Sequence, residues 1–124
     1  MDNLIIEETD DSPKVILDPA NNLFELSGKS LPEHVIGFYQ PILDWIDFYA
    51  FSPNAETNFL FKLEYFNTAS AKLILDILLK LERIHADGNK VSISWHSLEE
   101  DEDMKDSGEA YAGMMEIPFK HITY

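Results

Sequence analysis

The sequence contains no cysteine. That absence excludes a disulfide framework, a thiolate zinc site, an iron–sulfur cluster and a cysteine nucleophile. Glycine is sparse, with five residues scattered at 28, 37, 88, 108 and 113. No phosphate-cradling loop and no Gly-x-Ser-x-Gly elbow can be built from them. No apolar run reaches the roughly 18 residues that a membrane span needs. The first nine residues, Met1 to Thr9, have neither a basic start nor a long apolar stretch, so they do not read as a signal peptide. A cytoplasmic protein is the expectation. Bases are also few: nine Lys and Arg stand against 23 acids, a formal net charge of −14. Such a chain is repelled by phosphate backbones and anionic lipids, so no nucleic-acid or membrane partner is expected.

What is present supports a folded domain. The 124 residues are 45% hydrophobic and include eight Phe, five Tyr and two Trp. That length suits one domain spanning 1–124 with one core. The acid is unevenly placed. Residues 1–18 and 99–109 together hold 13 of the 23 acids, while the rest of the chain has an ordinary balance. The acidity therefore belongs to two segments more than to the fold.

The order of elements is readable from period and punctuation. Lys14-Val15-Ile16-Leu17 and Leu23-Phe24-Glu25-Leu26-Ser27 flank the turn formers Asp18 to Asn22 and predict a hairpin, with Leu4 to Glu7 as an added edge strand. Ser30-Leu31-Pro32-Glu33 reads as a helix start with Ser30 as cap. The apolar run behind it is interrupted by Pro41, which predicts two helical pieces, about 32–39 and 41–51. Residues 58–66 read as a strand with Phe59, Phe61, Leu63 and Tyr65 on one face. Leu73, Ile74, Ile77, Leu78, Leu81 and Ile84 form a helical stripe over 69–86, closed at Gly88, and Val91, Ile93 and Trp95 alternate as a further strand. The acidic stretch 99–109 reads as a solvated connection with a short helix near 102–110, followed by an extended tail near 114–122. The expected fold is α/β, a mixed four-to-five-stranded sheet with helices packed on it and a parallel strand–helix–strand unit at 58–96.

Catalytic signatures are mostly missing. The four His show no His-Glu-x-x-His spacing. His96, following a strand, is a candidate acid–base if a carboxylate stands near it. In the acidic run, Asp101 and Asp103 match the start of a calcium loop, but Lys105 and Asp106 break its register, so no metal is expected. The run could instead receive a basic partner surface. No cofactor is implied.

The most informative place is the strand-to-helix junction Tyr65-Phe66-Asn67-Thr68-Ala69-Ser70. A hydroxyl at a helix start meets unsatisfied N–H groups and the positive end of the dipole. Phosphorylation there would add about −1.5 to −2 charges at one surface point. Ala69, Ser70 and Ala71 leave room for another protein to approach. The plainer reading is that Asn67 or Thr68 is a helix cap and Ser70 a first-turn residue.

The run Leu63-Glu64-Tyr65-Phe66-Asn67-Thr68-Ala69-Ser70-Ala71-Lys72 resembles the hallmark segment of the SiaC family of bacterial regulatory phosphoproteins. Phe24-Glu25-Leu26-Ser27-Gly28, Pro41-Ile42-Leu43-Asp44-Trp45, Asp101-Glu102-Asp103-Met104, Gly108-Glu109 and Ile117-Pro118-Phe119 are similar to that family as well, so the likeness spans about residues 4 to 120. The resemblance implies a STAS-like fold and a partner-switching regulator of no enzymatic activity. It implies reversible phosphorylation at Thr68, with Ser70 a secondary candidate, by a kinase of the histidine-kinase-like ATPase fold and removal by a PP2C-type phosphatase. It implies a target protein, a diguanylate cyclase in the best-known members, bound by the unphosphorylated form around Asn67, Thr68, Ala69, Ser70 and Lys72. STAS proteins carry Asp before the modified hydroxyl, where this chain has Asn67. Two other readings compete: a constitutive interaction domain in which Thr68 only caps the helix, and a small hydrolase using His96.

Overall fold

The computed structural model describes residues 2–124. Strand β1 (Leu4–Ile6) pairs antiparallel with β2 (Lys14–Asp18), which pairs antiparallel with β3 (Leu23–Ser30). Helix α1 (Val35–Tyr49) leads to β4 (Glu56–Phe66), α2 (Thr68–Ala86) to β5 (Lys90–Ser97), and α3 (Glu102–Met114) to β6 (Phe119–Thr123). From β3 onward every neighbouring pair is parallel. The sheet is mixed and six-stranded in the order β1-β2-β3-β4-β5-β6, with one or two strands more than the sequence predicts. The strand beyond that expectation comes from the tail, where β6 pairs with β5, while β1 is the edge strand expected at Leu4 to Glu7.

Alternation along the strands explains the layering. Val15 and Leu17, Phe24 and Leu26, Phe59 and Phe61, and Ile93 and Trp95 are all buried and form one core with the inner faces of the helices. The opposite face carries Lys14, Glu25, Ser27, Asn58, Lys62, Ser92 and His96, and no helix of the described residues covers it. The layers are joined by aromatic contacts such as Phe24 to Tyr49, with ring centroids 5.3 Å apart.

Three local expectations are corrected. First, Pro41 does not break α1, which runs unbroken through it. The lost donor would have served the Gly37 carbonyl on the exposed side, where water can accept the role. The cost, about 3 kcal/mol, is outweighed by burial of Tyr39, Ile42, Leu43, Ile46 and Tyr49 on the other side, at roughly 1.5–3 kcal/mol each for large apolar side chains. Second, Ser30 does not cap α1. It is the last residue of β3, and α1 begins after His34, which makes no side-chain cap bond. Third, Tyr65 is not on the apolar face of β4. The β3–β4 register shifts between Gly28 and Lys29, so Gly28 faces Leu63 while Lys29 faces Tyr65 and Ser30 faces Phe66. Gly28 has φ +100°, a conformation that suits glycine. One extra residue on β4 turns Tyr65 outward and Phe66 inward, against Trp95 and Tyr111.

Candidate functional site

The shifted register delivers the chain directly into α2. Asn67 stands at the cap with φ −85° and ψ 174°, and its Oδ1 accepts the Ser70 N–H at 2.9 Å. Its own N–H donates to the Ser30 carbonyl at 3.0 Å. Short polar side chains favour this position because they satisfy one orphan donor of the first turn. Asn67 therefore performs the capping, and Thr68 is left without that duty. Thr68 is the first helical residue and is exposed, and among the described residues its hydroxyl takes part in no intramolecular hydrogen bond. Ala69 and Lys72 are exposed as well, and Lys72, one turn beyond Thr68, forms no ion pair among the described residues. Residues four apart on a helix are surface neighbours, so Lys72 is the one base of α2 beside Thr68.

Ser70 differs from the expectation of a second modifiable hydroxyl. It is 0% exposed. Its Oγ donates to the Ser30 carbonyl at 2.9 Å and accepts from Ser30 Oγ at 2.8 Å. Helix geometry explains this: Thr68 and Ser70 are about 200° apart around the axis, so one faces solvent when the other faces the core. Asn67, Thr68, Ala69 and Lys72 thus share one accessible surface, and Ser70 lies beneath it.

Three apolar side chains are exposed on the elements that meet at this end of the sheet. Because β3 and β4 run parallel, α1 and α2 both return against them and are parallel to each other. Their first turns therefore lie at the same end. Ile36, in the first turn of α1, is 67% exposed there. Leu31 directly follows Ser30 and is 39% exposed, and Tyr65, turned out by the bulge, is 52% exposed. A helical period in the sequence shows that Ile36 lies on a helix, but not that its side of α1 is left uncovered at this end.

The acidic run has a structural role. Asp101 Oδ1 accepts the Met104 N–H at 3.0 Å, and Glu102 and Asp103 lie in the first turn of α3. Negative charge is stabilising at that end of a helix. The short helix expected near 102–110 is present as α3, which runs on to Met114, and it is held by Trp95 Nε1 donating to the Met104 carbonyl at 3.0 Å. Beside it, Glu64, Tyr65, Phe66, Asp101, Asp103, Met104 and Ser107 line a groove of about 360 Å³. Among the described residues no group of three metal-ligating side chains converges.

His96 lies on the uncovered sheet face, with its ring 6.3 Å from that of Tyr124. Partial burial pushes its pKa below the ordinary imidazole value, Lys62 adds to that, and Glu25 opposes it. Glu25 stands near enough to act on it electrostatically, but no carboxylate hydrogen-bonds to it among the described residues. No helix of the described residues is long and apolar enough to cross a membrane.

Comparison with known proteins bears on this surface. A family model described as SiaC family regulatory phosphoprotein matches residues 6–124. An uncharacterized protein of Pseudomonas aeruginosa (strain UCBPP-PA14) is 28% identical over 119 residues, covering 96% of this chain and 94% of that protein. The crystal structure of apo-SiaC from Pseudomonas aeruginosa superposes with a TM-score of 0.90 at 26% identity, covering 99% of this chain and 100% of the other. A chain in the crystal structure of the diguanylate cyclase SiaD in complex with its activator SiaC, from the same organism, gives 0.92 at 26% identity over 98% and 99% of the two chains.

Proposed function

The chain belongs to the SiaC family of regulatory phosphoproteins, and from that premise we propose that it is a non-enzymatic partner switch of the cytoplasm, set by reversible phosphorylation of Thr68. A kinase with the histidine-kinase-like ATPase fold adds the phosphate, and a PP2C-type phosphatase removes it. The unphosphorylated surface of Asn67, Thr68, Ala69 and Lys72 binds a target protein. The Pseudomonas complex of SiaD with its activator SiaC supports a diguanylate cyclase as that target.

One observation carries the reading. Thr68 presents an exposed hydroxyl with no intramolecular bond among the described residues, at the end of the sheet where Leu31, Ile36 and Tyr65 are also exposed. A partner covering that end would enclose a neutral threonine at little cost. Enclosing a phosphate there requires stripping water from nearly two negative charges, with Lys72 as the nearest base on the helix. A buried charge without full compensation costs several kcal/mol, and each 1.4 kcal/mol is tenfold in affinity. Phosphorylation thus releases the partner without refolding the domain.

A constitutive module in which Thr68 only caps its helix is disfavoured, because Asn67 already fills that position. The test is target affinity of Thr68→Ala and Thr68→Asp. Thr68→Ala should bind like the unmodified protein, and Thr68→Asp at least tenfold more weakly. Equal binding by both would remove the switch.

A further inference from the structure

Beneath Thr68 runs a chain of enclosed hydroxyls. Ser30, Tyr39 and Ser70 are all fully buried. Tyr39 Oη lies 2.6 Å from Ser30 Oγ, Ser30 Oγ donates to Ser70 Oγ at 2.8 Å, and Ser70 Oγ donates to the Ser30 carbonyl at 2.9 Å. Each hydroxyl has a single proton. Ser70 uses its proton on the carbonyl and Ser30 uses its proton on Ser70, so Tyr39 is the donor to Ser30. Proton counting therefore fixes the direction of the whole chain, from Tyr39 in α1 through Ser30 at the end of β3 to Ser70 in α2.

The chain ends where Thr68 is held. The Ser30 carbonyl also accepts the Asn67 N–H, and Asn67 Oδ1 accepts the Ser70 N–H. Asn67 and Ser70 are thereby fastened on either side of Thr68, while the threonine side chain itself is free. The two alanines of this turn, Ala69 and Ala71, offer little apolar anchorage. A helix end with so few packed side chains would fray, whereas a fully satisfied buried network rigidifies what it joins.

We propose that Ser30, Tyr39 and Ser70 are positioning residues for Thr68: they clasp the first turn of α2 so that its hydroxyl is presented outward in one orientation. The proposal rests on the reading that Thr68 is the modified residue, and it assigns Ser70 to holding rather than to accepting phosphate. Transfer to a hydroxyl needs the acceptor held near attacking geometry, and a wandering turn would populate that geometry less often.

The experiment uses the full chain with Ser30→Ala, Ser70→Ala and Tyr39→Phe. Backbone amide exchange is measured residue by residue, and Thr68 phosphate occupancy is measured by mass spectrometry on protein made in the native host at equal expression. The expected result is exchange at least tenfold faster at residues 70–72 with Val91 to Trp95 unchanged, and Thr68 occupancy reduced several-fold. Unchanged exchange at 70–72 would overturn the clasp. So would exchange raised equally at Val91 to Trp95, because the hydroxyls would then serve only general stability. Wild-type protein carrying no phosphate at Thr68 would overturn the underlying reading of the site, whatever the exchange shows.

Discussion

The hydroxyl of Tyr111 in α3 donates to the carbonyl of Ala71 in the first turns of α2, at 2.8 Å. The acidic helix is thereby tied to the turn that carries Thr68. Its approach to the sheet is set by another pair. A Cβ on residue 108 would collide with the indole of Trp95, and Trp95 is itself buried against Phe61 and Tyr111. Helix α3 can reach the sheet here because position 108 lacks a side chain.

Gly108→Ala is therefore expected to destabilise despite the better helix propensity of alanine. The gain of up to about 1 kcal/mol is smaller than the cost of overpacking a rigid indole, about 1–3 kcal/mol. A lowered urea midpoint with unchanged m-value is the expected outcome. An unchanged or raised midpoint would show that α3 shifts without cost. Gly113, where an added Cβ would meet nothing within 4 Å, is the control, and Gly113→Ala should not destabilise.

Alkaline pH should expose the buried phenols. Burial pushes Tyr39 up to about 12, against the opposing hydrogen bonds of Ser30 and Ser70. Burial pushes Tyr111 up to about 12 as well, and Tyr39 adds to it. In the unfolded chain both ionise near pH 10. The folded state thus holds protons that the unfolded state releases. The stability linked to them is complete below pH 10 and is lost between about 10 and 12, at roughly 1.4 kcal/mol per pH unit for each group. Urea midpoints at pH 9, 10 and 11, followed with phenolate absorbance, check this. In Tyr39→Phe with Tyr111→Phe the fall should flatten, and an equal fall would refute the assignment.

The cap at Asn67 separates local from global effects. Asn67→Ala leaves the Ser70 N–H without its acceptor and should cost about 1 kcal/mol, within the range for lost caps. Asn67→Asp keeps the acceptor and adds negative charge at the helix start, so its stability should match or exceed that of wild type. Thermal unfolding of both variants decides the point. Equal loss in both would mean that Asn67 acts through its donor amide.

How much of this was legible beforehand depends on range. Hydrophobic period placed α2, β5 and the core stripe of Leu73 to Ile84, because those signals repeat within a single element. The start of α2 at Thr68 is legible from the strand–helix junction, because Asn67 and the small residues after it mark a helix start. The expectations that failed depended on partners distant in sequence. Ser30 looks like a cap until Tyr39 and Ser70 claim its hydroxyl. Ser70 looks like a second acceptor until the same bonds bury it. Tyr65 and Phe66 exchange faces because of a bulge opposite Gly28, 37 residues upstream of Tyr65, which no local pattern records. Pro41 looks like a break because the buried side of α1, which outweighs it, is a tertiary property.

Ile36 provides the sharpest test of the binding surface. It is 67% exposed, so a polar substitution there should change stability by no more than about 0.5 kcal/mol, as for ordinary surface sites. If the partner covers the end of the molecule where α1 and α2 both begin, Ile36→Asp buries an unpaired carboxylate in the interface. Binding by unphosphorylated protein should then fall at least tenfold, with an unchanged circular dichroism spectrum and unfolding midpoint. Phe51, 87% exposed after the other end of α1, is the matched control, and Phe51→Asp should bind normally. The measurement is calorimetric titration of the target with each variant. Retained affinity in Ile36→Asp, or a larger loss in Phe51→Asp, would move the interface away from Thr68. A phosphate at Thr68 could then act on the partner only indirectly.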